Sequence, residues 1–147
     1  MDEVCTPRDF NKAVDWLKKG DEAGSLQCTY QITKHIENGD GIDHDVSKYF
    51  FYMNKAATGG YEEAYLPLAR CYHAGLGTQE NGHMAFKWYQ KAADKGNASA
   101  QAHLGSCYLY GQGVAADKEK AIYWYEKAAE QGNNTARKNL EKLKNSD

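Results

Sequence analysis

The sequence predicts an all-α fold in which antiparallel helix pairs stack in one direction. Three observations predict it. The segment WYQKAADKG at 88–96 returns as WYEKAAEQG at 124–132, and each period contains two stretches whose apolar residues share one helical face. Glycines recur at steps of 36 residues, at Gly24, Gly60, Gly96 and Gly132. A period of this length is typical of stacked supersecondary units.

Two kinds of helix alternate along the chain. In the A helix at 98–110, Ala100, Leu104, Cys107 and Tyr108 fall at i, i+4, i+7 and i+8, and the same phase recurs in the other copies. The B helices are expected at about 9–23, 45–58, 81–94 and 117–130. The order is therefore B-A four times over, which makes eight helices.

Polar and glycine residues mark the predicted helix ends. The B helices have candidate N-caps at Asp9, Asp45, Asn81 and Asp117. The Gly24 column suits the left-handed residue that ends a helix. Paired glycines form the turns from A to B helices, at 39/41, 75/77 and 111/113.

The repeated phrase is expected to fill the core, because one helix pair cannot bury its apolar face alone. Trp88 and Trp124 occupy the same position of the period, and Tyr52 and Trp16 are its other versions. Alanine pairs let the next helix approach closely, at 92/93 and 128/129. Large side chains against small ones interlock adjacent layers.

The whole chain, 1–147, is interpreted as one repeat domain. It divides into a half-repeat at 9–24, repeats at 25–60, 61–96 and 97–132, and a C-terminal capping helix at 133–144. Since the chain opens on a B helix, either residues 1–8 cap that helix or a preceding A helix has been removed.

Composition limits the partners. A net charge of −2 gives no electrostatic reason to expect nucleic acid or an anionic membrane. The start is acidic, unlike a signal peptide, and no stretch could span a bilayer. A cytoplasmic protein is expected, unless a leader was removed. We expect a monomer or weak dimer.

The four cysteines are expected to be reduced thiols. Cys71 and Cys107 hold equivalent positions on successive A helices, too far apart for a disulfide. Only Cys5 with Cys28 remains open as a pair. Neither Cys71 with His73 nor His103 with Cys107 resembles a four-ligand zinc site, so no metal or other cofactor is expected.

No enzyme is expected, because the chain has no nucleophile triad and no phosphate-binding loop after a strand. A basic cluster near the C-terminus could suggest nucleic acid, at Arg137, Lys138, Lys142 and Lys144. Cations in a last helical turn are better explained by the helix dipole.

The string LGSCYLYGQGVAADKEKAIYWYEKAAEQG at 104–132 resembles the Sel-one-like repeat, a relative of the tetratricopeptide repeat. The copy at 68–96 matches well, the one at 32–60 less well, and the likeness covers about 9–143. The resemblance implies a right-handed superhelical solenoid of antiparallel helix pairs that binds other proteins.

The A helices of such a stack line its concave face, and the residues there that do not pack are free to bind a partner. These positions vary between copies, whereas the core columns hardly change. The candidate protein-binding residues are Tyr30, Lys34, Glu37, Glu63, Leu66, Arg70, His73, Ser106, Leu109, Tyr110 and Lys138.

The sequence therefore predicts a non-enzymatic scaffold or adaptor that binds a protein or peptide on its concave face. Since some small bacterial relatives act as immunity proteins, the alternative is an antitoxin that neutralises a cognate secreted toxin.

Overall fold

The computed structural model describes residues 10–39 and 45–145, with side chains for 12–39 and 45–145. Within these ranges the chain forms eight α-helices and a 3₁₀ turn, and no strand. The helices are α1 (Phe10–Glu22), α2 (Leu26–Asn38), α3 (Val46–Thr58), α4 (Tyr65–Ala74), α5 (Gly82–Asp94), α6 (Ala98–Tyr110), α7 (Lys118–Glu130) and α8 (Asn134–Asn145). The all-α repeat fold is confirmed, and its handedness stays a prediction.

The N-caps of the B helices α3, α5 and α7 are those expected. Asp45 accepts hydrogen bonds from the amides of Ser47 and Lys48, Asn81 accepts from Met84, and Asp117 accepts from Lys120. Each side chain thus satisfies an amide that has no partner within the helix. Three other expectations lie outside the described residues: the cap at Asp9, the turn at Gly41 and the cap formed by residues 1–8.

The A helices have caps of their own, which the sequence analysis missed. Ser25, Asn97 and Asn133 accept from the amides of Cys28, Ala100 and Ala136. Tyr61 holds the equivalent position before α4 and makes no such bond, and a 3₁₀ turn at Glu62–Ala64 precedes the helix. Pro67 lies in the first turn of α4. A proline is tolerated there because an N–H at this position would have no partner within the helix.

Glycine is required where the two described A-to-B turns, after α4 and α6, meet the preceding B helix. Gly77 and Gly113 have φ of 72° and 74°. A Cβ on Gly77 would collide with the carbonyl oxygen of Val46, and one on Gly113 with that of Gly82. A left-handed residue without a side chain therefore lets successive repeats approach.

Each helix packs against the helices before and after it in the chain, and α6 also contacts α8. The predicted A-helix core column is buried through the middle of the stack. Ile32, Leu68 and Leu104 are fully buried, and Leu140 at the last position is half-buried. The stack is thus held by contacts between neighbours, as in other solenoids.

The tryptophan position is a core position in one repeat only. Trp88 is 3% exposed, whereas Trp124 is half-buried and Trp16 is 72% exposed. Trp88 is covered by the ring of Tyr65, 5.5 Å away, and Gln101 replaces that tyrosine in the next repeat. The expectation that the whole column fills the core was therefore wrong.

The residue after each tryptophan is the one that fills the core. The residue that follows the tryptophan column is at most 1% exposed in each of α3, α5 and α7, where it is Met53, Tyr89 and Tyr125. Gly105 leaves room for the Tyr125 ring, because a Cβ there would lie 2.9 Å from it. Glycine on the A helix and tyrosine on the B helix therefore interlock.

One partly buried ion pair joins the first three helices, with an exposed lysine and a buried carboxylate. Asp21 of α1 stands where later repeats have alanine, and it is 9% exposed. Its carboxylate accepts from Lys55 of α3, 2.7 Å away, and from the hydroxyl of Thr29 of α2. A buried carboxylate needs such partners, since an unpaired one is strongly destabilising.

Candidate protein-binding surface

The candidate surface is the exposed side of the A helices α2, α4, α6 and α8, which we call the open face. Seven of the eleven predicted residues have exposed side chains: Lys34, Glu37, Glu63, Arg70, His73, Tyr110 and Lys138. Leu66, Ser106 and Leu109 are half-buried. Most of the predicted positions are therefore available to a partner.

Tyr30 is the exception. It is 7% exposed and belongs to the hydrophobic core, where its ring lies 5.0 Å from that of Tyr61. Lys34 covers it further, with the ammonium 5.3 Å from the ring centre. The expectation that Tyr30 is free of packing was wrong, because Tyr61, which stands in a turn position, folds over it.

The open face contains a groove of about 300 Å³ where α4, α6 and the start of α8 meet. It is lined by Arg70, Ser99, Ala102, His103, Ser106, Asn133 and Thr135. Arg70 and Ser106 were predicted binding residues, and they come together here from successive A helices. The other nine lie elsewhere on the molecule.

Five groove residues are not among the eleven predicted binding residues: Ser99, Ala102, His103, Asn133 and Thr135. A signal for His103 was present, because Ser99, Ala102, His103 and Ser106 are spaced at i, i+3, i+4 and i+7 and so form one helical stripe. Asn133 belongs to the column of A-helix caps, which had not been recognised.

The floor of the groove is anchored to α7. The hydroxyls of Ser106 and Tyr125 lie 2.8 Å apart, and Ser106 also donates to the carbonyl of Ala102 at 3.3 Å. Burial raises the pKa of Tyr125, although the bond to Ser106 works against this. Ser106 is therefore fixed in place and only half-buried.

His103 is held in its uncharged form. Its ring stacks on that of Tyr89 at 4.8 Å, and burial, followed by the charges of Arg70 and His73, lowers its pKa. Burial likewise raises the pKa of Tyr89 to about 12. At neutral pH both rings are neutral, so the charge in the groove comes from Arg70.

The cations of the open face differ in whether they already have a partner. Lys34 lies 3.5 Å from the Glu37 carboxylate, and although burial works against it, Tyr30 and Glu37 raise the pKa of Lys34. Arg70 forms no ion pair or hydrogen bond with any residue in 12–39 or 45–145. The guanidinium therefore keeps all five of its donors.

Three further candidates lie on α6 and α8, outside the lining of the groove. Leu109 packs against the small core cluster beneath α6 and α8, and Tyr110, 70% exposed, ends α6. Lys138 lines a shallow depression on α8 with Glu141, Lys142 and Asn145. Glu37 and Glu63 line two other depressions of the described residues, so the candidates do not form one site.

Across the described ranges, no three histidine, cysteine or acidic side chains are grouped so that they could hold a metal ion. Cys28, Cys71 and Cys107 are unpaired. Cys5, the other half of the one disulfide left open, lies outside the described residues. Among the helices described, none has the length and apolarity that crossing a bilayer requires.

The Sel1 repeat pattern matches residues 3–25, 34–61, 63–97 and 98–133, which is most of the chain. The chain belongs to the Sel1 repeat family. Sel1 repeats generally form non-catalytic scaffolds that mediate protein–protein interaction. A comparison with curated proteins gives no match.

Solved structures of Sel1 repeat proteins are similar to the chain. A protective antigen of uropathogenic Escherichia coli with an SLR fold is 30% identical over 95% of the chain, with a TM-score of 0.90, and the chain spans 30% of its length. A Sel1 repeat protein from Oxalobacter formigenes is 36% identical, with a TM-score of 0.76, over 86% of this chain and 95% of that one.

Helicobacter pylori cysteine-rich protein B has the same fold, at 22% identity and a TM-score of 0.67, over 93% of this chain and 98% of its own.

Proposed function

We propose that the chain is a non-enzymatic adaptor that binds a partner protein or peptide on its open face. The observation that carries the proposal is the groove between α4, α6 and α8, in which Arg70 has no partner within the described part of the chain. An exposed cation next to fixed polar groups is available for recognition.

The pattern of variation supports the same surface. The position two residues after the core leucine column reads Lys34, Arg70, Ser106 and Lys142 in successive A helices. The core column itself reads Ile32, Leu68, Leu104 and Leu140. A constant core beneath a changing surface is what a scaffold adapted to one partner requires, since fold alone does not determine the partner.

Affinity capture from a native lysate tests the proposal. We expect Arg70→Glu combined with Tyr110→Ala to abolish partner capture, because the pair removes the groove cation and an exposed aromatic beside it. Both side chains are exposed, so the helical circular-dichroism signal should not change. The matched control is Arg137→Glu with Tyr123→Ala, which changes the same residue types outside the groove and should capture normally.

Undiminished capture by the Arg70 and Tyr110 variant would contradict binding at the open face. The identity of the captured protein separates the two hypotheses on function. One tightly held protein whose toxic activity is abolished in the complex would indicate an immunity protein, whereas partners that stay active would indicate an adaptor.

We further propose that the protein works in the cytoplasm as a monomer or weak dimer, and without nucleic acid or membrane as partner. The unpaired state of Cys28, Cys71 and Cys107 supports a reducing compartment. The net charge of −2 supports a partner other than nucleic acid.

A further inference from the structure

We propose that the groove between α4, α6 and α8 takes side-chain carboxylates from an acidic segment of the partner protein, with Arg70 as their ion-pair partner. The inference rests on the proposed function and adds the chemistry of what the open face binds.

The lining of the groove is one-sided in charge. Arg70 contributes the cation, and its other lining residues are a histidine, two serines, an alanine, an asparagine and a threonine. None of them is acidic, so nothing in the lining neutralises the guanidinium. Arginine pairs with carboxylates through two parallel N–H···O bonds, because its planar fork matches the two oxygens of the carboxylate.

The polar groups around Arg70 can complete the coordination of a carboxylate. Asn133 uses its side-chain oxygen to cap α8, at 2.8 Å from the amide of Ala136, and its NH₂ group is left to donate. The hydroxyls of Ser99 and Thr135 add two further donors on the lining. The N-terminus of α8 faces the same space, and its dipole favours a negative charge there.

Arg70 is the one charged side chain among the lining residues, because the His103 ring is neutral and the Tyr89 ring behind it is neutral as well. His103 lies on the lining with its pKa lowered by burial, Arg70 and His73, so it is a neutral donor or acceptor at physiological pH. The Tyr89 hydroxyl, buried behind it, has no hydrogen-bond partner among the described residues. Arg70 lies close enough to affect the ionisation of both rings.

The size of the groove fits one acidic side chain, and a further cation of the same column lies along the A helices. A volume of about 300 Å³ holds the end of one glutamate or aspartate side chain with part of its main chain. Lys142 stands in the same column of α8, two repeats further along the stack. A segment that lies along the A helices would therefore meet a second cation after Arg70.

Peptide titrations of the full chain, followed by nuclear magnetic resonance, test the inference. The probe is hexaglutamate acetylated and amidated at its ends. Hexaglutamine with the same ends removes the charge, and acetylated hexaglycine with a free C-terminus offers only a main-chain carboxylate. We expect hexaglutamate to shift the Arg70 side-chain Nε–H signal and the amides of Ser99 and Thr135, and the two other peptides to bind at least roughly tenfold more weakly.

Two arginine variants provide the matched comparison. Arg70→Gln should weaken hexaglutamate binding roughly tenfold, which corresponds to about 1.4 kcal/mol. Arg137→Gln removes the same charge from α8, one helical turn from Asn133 but outside the lining, and should change binding by no more than about twofold, because an exposed charge without direct contact is screened by solvent and salt. Equal weakening by both variants would overturn the inference in favour of diffuse attraction.

The remaining outcomes separate the inference from the proposed function. Equal groove shifts with hexaglutamine would show peptide binding without carboxylate recognition, and would overturn the inference alone. Tighter binding of the free hexaglycine terminus would overturn it by assigning the groove to chain ends. If no peptide shifts the signals of the groove residues but Arg70→Glu with Tyr110→Ala still abolishes partner capture, the inference is overturned and the proposed adaptor function is retained. If partner capture is also unaffected by that variant, both proposals are overturned.

Discussion

At the scale of single residues, Cys71 and Cys107 show how burial sets chemistry in this stack. They hold equivalent positions in α4 and α6, and burial raises the pKa of each thiol to about 11. Cys28 of α2, which lies in the column of Ala64 and Ala100, is only half-buried and packs against Gly20 of α1. Since the thiolate is the nucleophile, the two buried thiols are unreactive at neutral pH.

Thiol labelling checks this difference. In a Cys5→Ser background at pH 8, we expect iodoacetamide to modify Cys28 first and to leave Cys71 and Cys107 intact until the protein is unfolded with urea. The reason is that raised pKa values keep the thiols protonated and burial excludes the reagent. Peptide mass spectrometry gives the order, and labelling of Cys71 in the native protein at the rate of Cys28 would contradict it.

Residue positions in the open face could be predicted from the sequence, but their surroundings could not. The column two residues after the core leucine contains Arg70 and Ser106, which both line the groove, and their role in binding stays a prediction. The prediction that Tyr30 is exposed was wrong, because the ring of Tyr61 packs against it. Tyr61 takes the place of the serine and asparagine caps of the other repeats. A period assigns each residue to a column, but it does not show that one irregular neighbour covers it.

At the scale of helices, the period and the caps together fixed the boundaries. The predicted B helices at 45–58, 81–94 and 117–130 begin one residue later, as expected if Asp45, Asn81 and Asp117 are caps outside the helix. The 3₁₀ turn before α4 was not predicted, because it depends on Tyr61 and Pro67 acting together. Local irregularities of this kind leave the period intact.

The two tryptophans of α5 and α7 should differ in their effect on stability. We expect Trp88→Ala to lower the free energy of unfolding by about 3–5 kcal/mol, and Trp124→Ala by roughly half as much. Trp88 is buried under Tyr65, whereas Trp124 has Gln101 at that place and stays half-buried. Urea denaturation monitored by circular dichroism measures both values, and a larger loss for Trp124→Ala would contradict this ranking.

At the scale of the whole molecule, stability should vary along the stack. In α5 and α6 several residues of each helix are buried, among them Trp88, Tyr89, Leu104 and Cys107, whereas in α8 only Ala136 is. Because each helix packs chiefly on its neighbours, local opening is easiest where few side chains are covered.

Hydrogen–deuterium exchange measured by mass spectrometry checks this gradient. We expect the amides of α8 to exchange at least roughly tenfold faster than those of α5 and α6, since their opening breaks fewer buried contacts. The amides of 113–116, which donate no backbone hydrogen bond within the described residues, serve as an internal reference for unprotected amides. Uniform protection from α5 to α8 would indicate one cooperative unit and would contradict a gradient.

The ion pair between Asp21 and Lys55 has a consequence for the engineering of this array. The lysine recurs in every B helix, and Lys19, Lys91 and Lys127 each lie over a tryptophan of their own helix, at 5.2, 4.8 and 5.3 Å. Lys55, whose helix has Tyr52 at that position, reaches Asp21 instead. The repeats are therefore not freely interchangeable. In a chimaera that has a tryptophan-bearing repeat after α1, the lysine would lie over its own tryptophan, and the buried Asp21 carboxylate would lose its ion-pair partner.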